Sequence, residues 1–358
     1  MSITDIFKPK PKPDDASKKA AKMAVKEGLE FCVLGPSGSG KTTLLACLND
    51  AFQRKIGATI TPADPETFAL LNDAYESLKA KAEDSNQQFA AAIPGTEEKR
   101  DFLFNIKGKN AKLPVRFNDY PGGWMLPSDS HFESVKQMVR QSSVIIVAVK
   151  TPYLMEENGK YASEARANDI GWLLDQAFEE DNGREHLILL VPVKCEKYMA
   201  NDSERERMIA AVKEAFATTI ALGRSPNYKD RLAIALIPVQ TVGNAVFFTF
   251  KGARMENNRF TGEEIYMKTK KEFNPQNADQ PMRYLMRFLL RLYRLRNASW
   301  WDIILSTIFR EGDLNDVAQT IADGLLPPEG RDGIRIFSGK QLLDFGPQQK
   351  KEKGGIFW

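Results

Sequence analysis

Apolar runs and amphipathic stretches alternate along most of this chain. EFCVLG, residues 30–35, is a short apolar run closed by glycine and predicts a buried strand. It flows into PSGSGKTTLLACLNDAF, where Leu44, Leu45, Leu48 and Phe52 recur at helical spacing. Asp64 then offers an N-cap with Pro65 in the first helical position, and Phe68, Leu71, Tyr75 and Leu78 predict one face of a helix over 64–84. RDFLFNIKG and AKLPVRFND, parted by polar residues and a glycine, predict a hairpin. Ser130 and Glu133 have the spacing of a capping box and predict a helix carrying Phe132, Val135 and Val139. The order is then regular: strand SSVIIVAVK, helix EARANDIGWLLDQAFEED, strand EHLILLVPVK, then a helix with Ile209, Val212, Phe216 and Ile220 on one side. RLAIALIPVQ is a further strand and PMRYLMRFLLRLYRLR a closing helix. Near-continuous apolar strands between amphipathic helices predict an α/β three-layer sandwich. Its mostly parallel sheet would have six strands, one of them antiparallel, with helices on both faces. Residues 252–280 are polar and weakly patterned and predict a loop-rich insertion.

Composition adds limits. With 42% hydrophobic residues in 358 there is ample material for a core. Cys32, Cys47 and Cys195 do not pair evenly, which favours a reducing, cytoplasmic setting over a disulfide framework. His131 and His186 lie far from any cysteine cluster, so a zinc site is not expected. The start, MSITDIFKPKPKPDD, has no run apolar enough for a signal peptide, and no segment reaches the length of a membrane span. A net charge of +3 argues against a dedicated nucleic-acid binder. The lysine-rich stretch within 1–28 reads as a flexible basic leader.

GPSGSGKT, Gly35 to Thr42, matches Gly-x-x-x-x-Gly-Lys-Thr without a gap and lies between an apolar strand and an amphipathic helix. The chemistry requires that spacing. Gly35, Gly38 and Gly40, with Ser37 and Ser39 between them, let successive backbone N–H groups point at a β-phosphate. Lys41 bridges β- and γ-phosphate oxygens, the Thr42 hydroxyl ligates Mg²⁺, and the Thr43 N–H reaches the α-phosphate. The loop resembles those of ABC-transporter ATPases and guanylate kinases. However, no Leu-Ser-Gly-Gly-Gln segment is present, and VIIVAVK ends in Lys150 rather than an acidic pair, so both families are set aside.

FNDYPGGW, residues 117–124, places Asp119 and Gly122 at the end of the second hairpin strand. With these residues the chain resembles the Ras-like (TRAFAC) P-loop GTPases over residues 29–297. The resemblance implies that Asp119 holds Mg²⁺ through a water and that Gly122 gives its N–H to the γ-phosphate. It also implies a switch threonine touching both metal and phosphate, for which IPGTEEKRDFLF offers Thr96. Lys41, Thr96 and Gly122 would then carry catalysis, and Thr42, Thr96 and Asp119 the metal. VKCE, residues 193–196, stands where a base-reading Asn-Lys-x-Asp is expected: Lys194 would lie along the purine and Glu196 accept from the guanine edge, whereas Val193 cannot bond the base. QTVG, with Thr241, matches the last base loop only loosely. The usual water-positioning glutamine is replaced by Gly123, which implies slow intrinsic hydrolysis unless Arg100 or a partner's arginine assists. Trp124 would cover the site, meet an effector or pack. The helical insertion over 61–95 and the Asp-x-Pro-Gly form of the third motif resemble the double-GTPase families of bacterial genomes.

The closing helix carries Arg283, Arg287, Arg291 and Arg294 along one face, opposite Leu285, Phe288, Leu289, Leu292 and Tyr293. A core helix with a solvated arginine face is the favoured reading, and membrane contact through 283–309 the alternative. Residues 298–358 read as a helical extension and flexible tail, with SWWDIILSTIF packing on the domain and Ile356, Phe357 and Trp358 docking on this chain or another. The resemblance implies a cytoplasmic, Mg²⁺-dependent switch that binds GTP and GDP and meets a protein effector or activating partner. An ATP-using P-loop enzyme and a nucleotide-bound scaffold with little turnover remain the alternatives.

Overall fold

The computed structural model describes residues 29–56, 60–90, 98–107, 112–181, 183–256, 259–295 and 321–343. The basic leader, Thr96, the segment Ser299–Phe309 and the terminal Ile356–Trp358 lie outside these residues.

The apolar runs form strands because each is covered on both faces. β1 (Leu29–Leu34), β6 (Val144–Lys150), β7 (His186–Val193) and β8 (Leu232–Leu236) are buried almost throughout. The predicted hairpin is β4 (Arg100–Lys107) and β5 (Lys112–Asp119), paired antiparallel. β5, β6, β7 and β8 join β1 in one parallel array, with Val33 beside Asp119 and Leu34 beside Val147. Among the described residues the sheet has eight strands rather than six. Three-residue β2 (Ile60–Pro62) extends the β4 edge, and four-residue β11 (Arg335–Ser338) extends the β8 edge, giving the order β11-β8-β7-β6-β1-β5-β4-β2. Two strands, β4 and β11, run against their parallel neighbours. Both added strands are too short for a hydrophobic period to announce them.

The helices are α1 (Lys41–Ile56), α2 (Pro65–Glu83), α3 (Phe132–Gln141), α4 (Thr151–Met155), α5 (Ala167–Glu179), α6 (Asp202–Ala215), α7 (Ala217–Leu222), α8 (Gln280–Leu295) and α9 (Lys340–Leu343). One apolar core joins α1, α2 and α8 to one face of the sheet, and a second joins α3, α5, α6 and α7 to the other. Asp64 caps α2 as expected, accepting from the Thr67 N–H at 2.8 Å. The buried face of α2, however, is Thr67, Leu71, Tyr75 and Ala82, and Phe68 is 56% exposed. No capping box forms at α3. Its N-cap is His131, without a side-chain bond, because Asp129 takes the turn by accepting the His131 N–H at 2.9 Å. The helix expected over Ile209–Ile220 breaks into α6 and α7 at Phe216, just before the β-branched pair Thr218–Thr219, though its four apolar residues stay buried.

Residues 252–280 are not loop-rich. β9 (Ala245–Glu256) and β10 (Arg259–Lys268) form a long hairpin that pairs with β3 (Gln88–Ala90) in a second, three-stranded sheet. Register shifts at Thr261/Glu263 and Ile265/Tyr266 break the alternation that would have revealed it. Phe247, Phe250 and Tyr266 of this sheet pack with Tyr153 and Tyr161 into a third cluster.

Along the arginine face of α8, Arg283, Arg287 and Arg291 are engaged by the chain itself, and the Arg294 side chain lies outside the described residues. Arg283 is buried, pairs with Asp279 at 2.6 Å and donates to the Ile321 carbonyl at 2.9 Å. Arg287 donates to the Leu343 carbonyl, and Arg291 to the Gln341 carbonyl at 3.0 Å. The stripe therefore binds the backbone of residues 321–343 to the domain. Among the described residues no helix is long and apolar enough to cross a membrane.

Candidate nucleotide site

The strand-to-helix turn between β1 and α1 builds the loop that the sequence marks. Gly38 and Gly40 take φ values of +68° and +93°, which a side chain would disfavour. Lys41 opens α1 with its side chain almost fully buried. Its ammonium donates to the loop's own carbonyls, Gly35 at 3.2 Å and Pro36 at 3.4 Å. Burial lowers its pKa, with Asp119 pulling the other way. The next residue, Thr42, donates its hydroxyl to Asp119 Oδ2 at 3.0 Å. β5 lies directly beside β1, so the end of one strand and the turn after the other converge on a single point.

Gly122 lies in a 3₁₀ turn just beyond Asp119, against the phosphate loop. A Cβ there would sit 2.2 Å from the Ser37 nitrogen and 2.4 Å from the Pro36 carbonyl carbon. Gly123 is exposed, and a Cβ on it would meet nothing within 4 Å. Trp124 follows, its ring stacked on His131 with centroids 3.9 Å apart.

On the other side of the loop a cavity of about 390 Å³ is lined by Gly38 to Thr43, Lys194, Glu196 and Thr241. The Lys194 ammonium donates to the Gly38 carbonyl at 3.2 Å, tying the two loops together. Lys194 holds a left-handed backbone, φ +57°, rare for a side-chain-bearing residue. Glu196 is buried, and its Oε1 accepts from the Val242 N–H at 3.0 Å. Burial raises its carboxyl above the usual range, and the backbone N–H of Val242 works against that rise. The structure thus gathers Gly35 to Thr43, Asp119 and Gly122 at one end and Lys194, Glu196 and Thr241 at the other. Thr96 lies outside the described residues.

Further residues that the sequence does not mark also line the cavity, among them Lys150, Phe89, Glu264 and Tyr266. Glu264 is buried between Lys150 and Lys194, the latter at 2.8 Å, and also accepts from the Tyr266 hydroxyl at 2.7 Å. Burial raises the Glu264 carboxyl, but Lys194 and then Lys150 outweigh it and bring it down to about 2. Burial lowers Lys194 despite that attraction. With its folded pKa depressed, Glu264 contributes its full stability above about pH 4.5 and loses it as the pH falls toward 2. Thermal melts across that window are therefore expected to show the gap between the parent chain and Glu264→Gln closing as acid is added. No local motif marks these residues, because Glu264 reaches the site from a hairpin about seventy residues beyond Lys194.

The model of the family Double-GTPase 2 matches residues 31–233. No curated protein matches the chain. Among solved structures, a signal recognition particle receptor complex, SRb-GTP/SRX, from Chaetomium thermophilum is 12% identical. That match covers 61% of this chain and 92% of that one, with a TM-score of 0.37. The RocCORdC part of Roco2 from Methanosarcina barkeri, bound to GDP, is also 12% identical, over 60% of this chain and 43% of that one, with a TM-score of 0.26. The family match spans more than half of the residues and contains the phosphate loop, Asp119, Lys194 and Glu196, so the chain belongs to the Double-GTPase 2 family of GTP-binding proteins.

Proposed function

We propose that the chain is a Mg²⁺-dependent guanine-nucleotide switch that hydrolyses GTP slowly. The observation that carries this reading is the 3.0 Å contact between the Thr42 hydroxyl and the Asp119 carboxylate, with Gly122 seated on the loop beside it. A hydroxyl and a carboxylate are hard oxygen donors, the set a magnesium ion favours when phosphate oxygens and waters complete its shell. Bound there, Mg²⁺ would neutralise phosphate charge. Lys41 would hold the β- and γ-phosphate oxygens. Gly122 would sense the γ-phosphate through its N–H, and Thr96 would complete the switch.

Gly123 offers no side chain to orient a water, which supports a low intrinsic rate. Arg100, directly opposite Asp119 in the β4–β5 ladder, is a candidate on this chain to speed the reaction, and a partner's arginine is the other. Movement of Gly122 would carry the neighbouring Trp124–His131 stack with it, giving a protein effector something to read. The open space at Gly123 also favours a second reading, a nucleotide-bound scaffold with almost no turnover. Single-turnover assays with bound GTP separate the two.

Calorimetry with GDP, GTP, a non-hydrolysable GTP analogue and ATP, each with and without Mg²⁺, tests the proposal. ATP binding more tightly than GTP would sink it. Base reading has its own test. Glu196 would accept from the N1–H and amino group of guanine, and a glutamine there presents its own N–H to that edge. Glu196→Gln is therefore expected to lose GDP affinity by about tenfold or more, since a mispaired buried donor costs roughly 1–3 kcal/mol. Xanthosine diphosphate, with a carbonyl in place of the amino group, should gain in relative affinity.

A further inference from the structure

The β9–β10 hairpin follows the Thr241–Gly243 loop, precedes α8 and lies beyond the residues matched by the family model. It nevertheless inserts a carboxylate into the nucleotide cavity. Glu264 takes Lys194 on one oxygen and Lys150 on the other, and Lys150 is itself within 2.9 Å of the Tyr153 hydroxyl. Both lysines converge on Gly38. Lys194 donates to its carbonyl, and the Lys150 ammonium lies 3.8 Å from where a Cβ of Gly38 would stand. Without Glu264 two ammonium groups would share this corner with no anion between them, and Lys194 would hold its left-handed backbone with one anchor fewer.

We propose that Glu264 is a positioning residue of the nucleotide site, holding the Lys194 ammonium on the Gly38 carbonyl so that the lysine's aliphatic stem forms a floor for the purine. The inference rests on the assignment of Lys194 to the purine. Glu264 acts through Lys194, and the hairpin becomes a wall of the pocket rather than a remote ornament. Floor and edge are then separate functions. Disturbing the floor weakens every purine nucleotide alike, whereas disturbing Glu196 changes which purine is preferred.

A double-mutant cycle read by calorimetry with GDP and inosine diphosphate tests this. Glu264→Gln is expected to weaken both nucleotides by a similar factor of about ten, the scale of a lost hydrogen bond to a charged group. Lys194→Met should weaken both at least as much. In the Lys194→Met background, Glu264→Gln should add less than about twofold, because its route of action is gone. Tyr266→Phe, which removes one bond to Glu264 and keeps the ring, should give a smaller loss of the same kind and serves if Glu264→Gln fails to fold. Full additivity of the two substitutions would overturn the inference, as would unchanged affinity in Glu264→Gln beside a weakened Lys194→Met. Unchanged affinity in Lys194→Met would instead remove the purine assignment itself.

Discussion

Gly122→Ala should separate nucleotide binding from the response to it. The added methyl would lie 2.2 Å from the Ser37 nitrogen, 2.4 Å from the Pro36 carbonyl carbon and 2.8 Å from the Pro36 Cα. All three are backbone atoms of the phosphate loop, so no rotamer change can clear them. The turn over Gly122–Met125 must lift instead, against the pull of Met125 and Tyr120, both fully buried. Overpacking of this kind costs about 1–3 kcal/mol, and a lowered melting temperature is expected. Lys41 and Thr42 belong to the opposite side of the contact and should still bind GDP within about threefold of the parent, well under the 1.4 kcal/mol of a tenfold change. Hydrogen exchange over residues 119–131 is the decisive measurement. In the parent, protection there should differ between GDP and a GTP analogue; in the variant that difference should vanish. A variant that kept the full difference would show that Gly122 is no part of the switch.

Lys41→Met should drive stability and binding in opposite directions. The Lys41 ammonium is buried, its pKa is lowered by desolvation, and its two carbonyl partners stand at 3.2 and 3.4 Å. In the empty protein that charge is held at a cost, which methionine removes while keeping the length of the chain. The melting temperature without nucleotide should therefore hold or rise. With nucleotide the same ammonium would meet phosphate oxygens through short, charge-assisted bonds. Their loss is expected to lower GDP affinity about a thousandfold, roughly 4 kcal/mol. Paired melts and calorimetry check both halves. A fall of several degrees with unchanged GDP affinity would make Lys41 a structural residue and leave the phosphates without their main cation.

The parts of this site that were legible beforehand are those whose chemistry fixes their spacing. A phosphate loop must put its lysine and threonine at the start of a helix, and Gly35 to Thr42 does so. The role of Asp119 is legible only through the resemblance to Ras-like GTPases, which gives meaning to a carboxylate at the end of that strand. Lys194 and Glu196 are likewise legible through the resemblance, as a variant of its base-reading motif after β7, although Val193 departs from the pattern. What escaped was long-range or out of phase. Glu264 enters from a hairpin whose register shifts twice, and no period of two survives that. In the sequence Lys150 stands only where an acid is missing, whereas in the fold it is a cation paired across to that hairpin. The edge strands β2 and β11 take their place from ladder partners rather than from their own composition. Phe68 followed the expected helical spacing yet faces solvent, because Thr67 occupies the inward position and donates its hydroxyl to Asp64.

The guanidinium groups along α8 carry one more consequence. Charge counted along a chain need not be charge offered to the surroundings. Arg283, Arg287 and Arg291 look like the polar side of a peptide built to rest on an acidic surface, yet each is engaged by main-chain oxygen from residues 321–343. Those oxygens lie on helical residues, Ile321 at one end of the segment and Gln341 and Leu343 in α9. A four-residue helix cannot bond such carbonyls within itself, so the cations supply those bonds and fasten the segment to the domain. The helix whose lettering most suggests an outward errand is thereby committed to holding its own chain together.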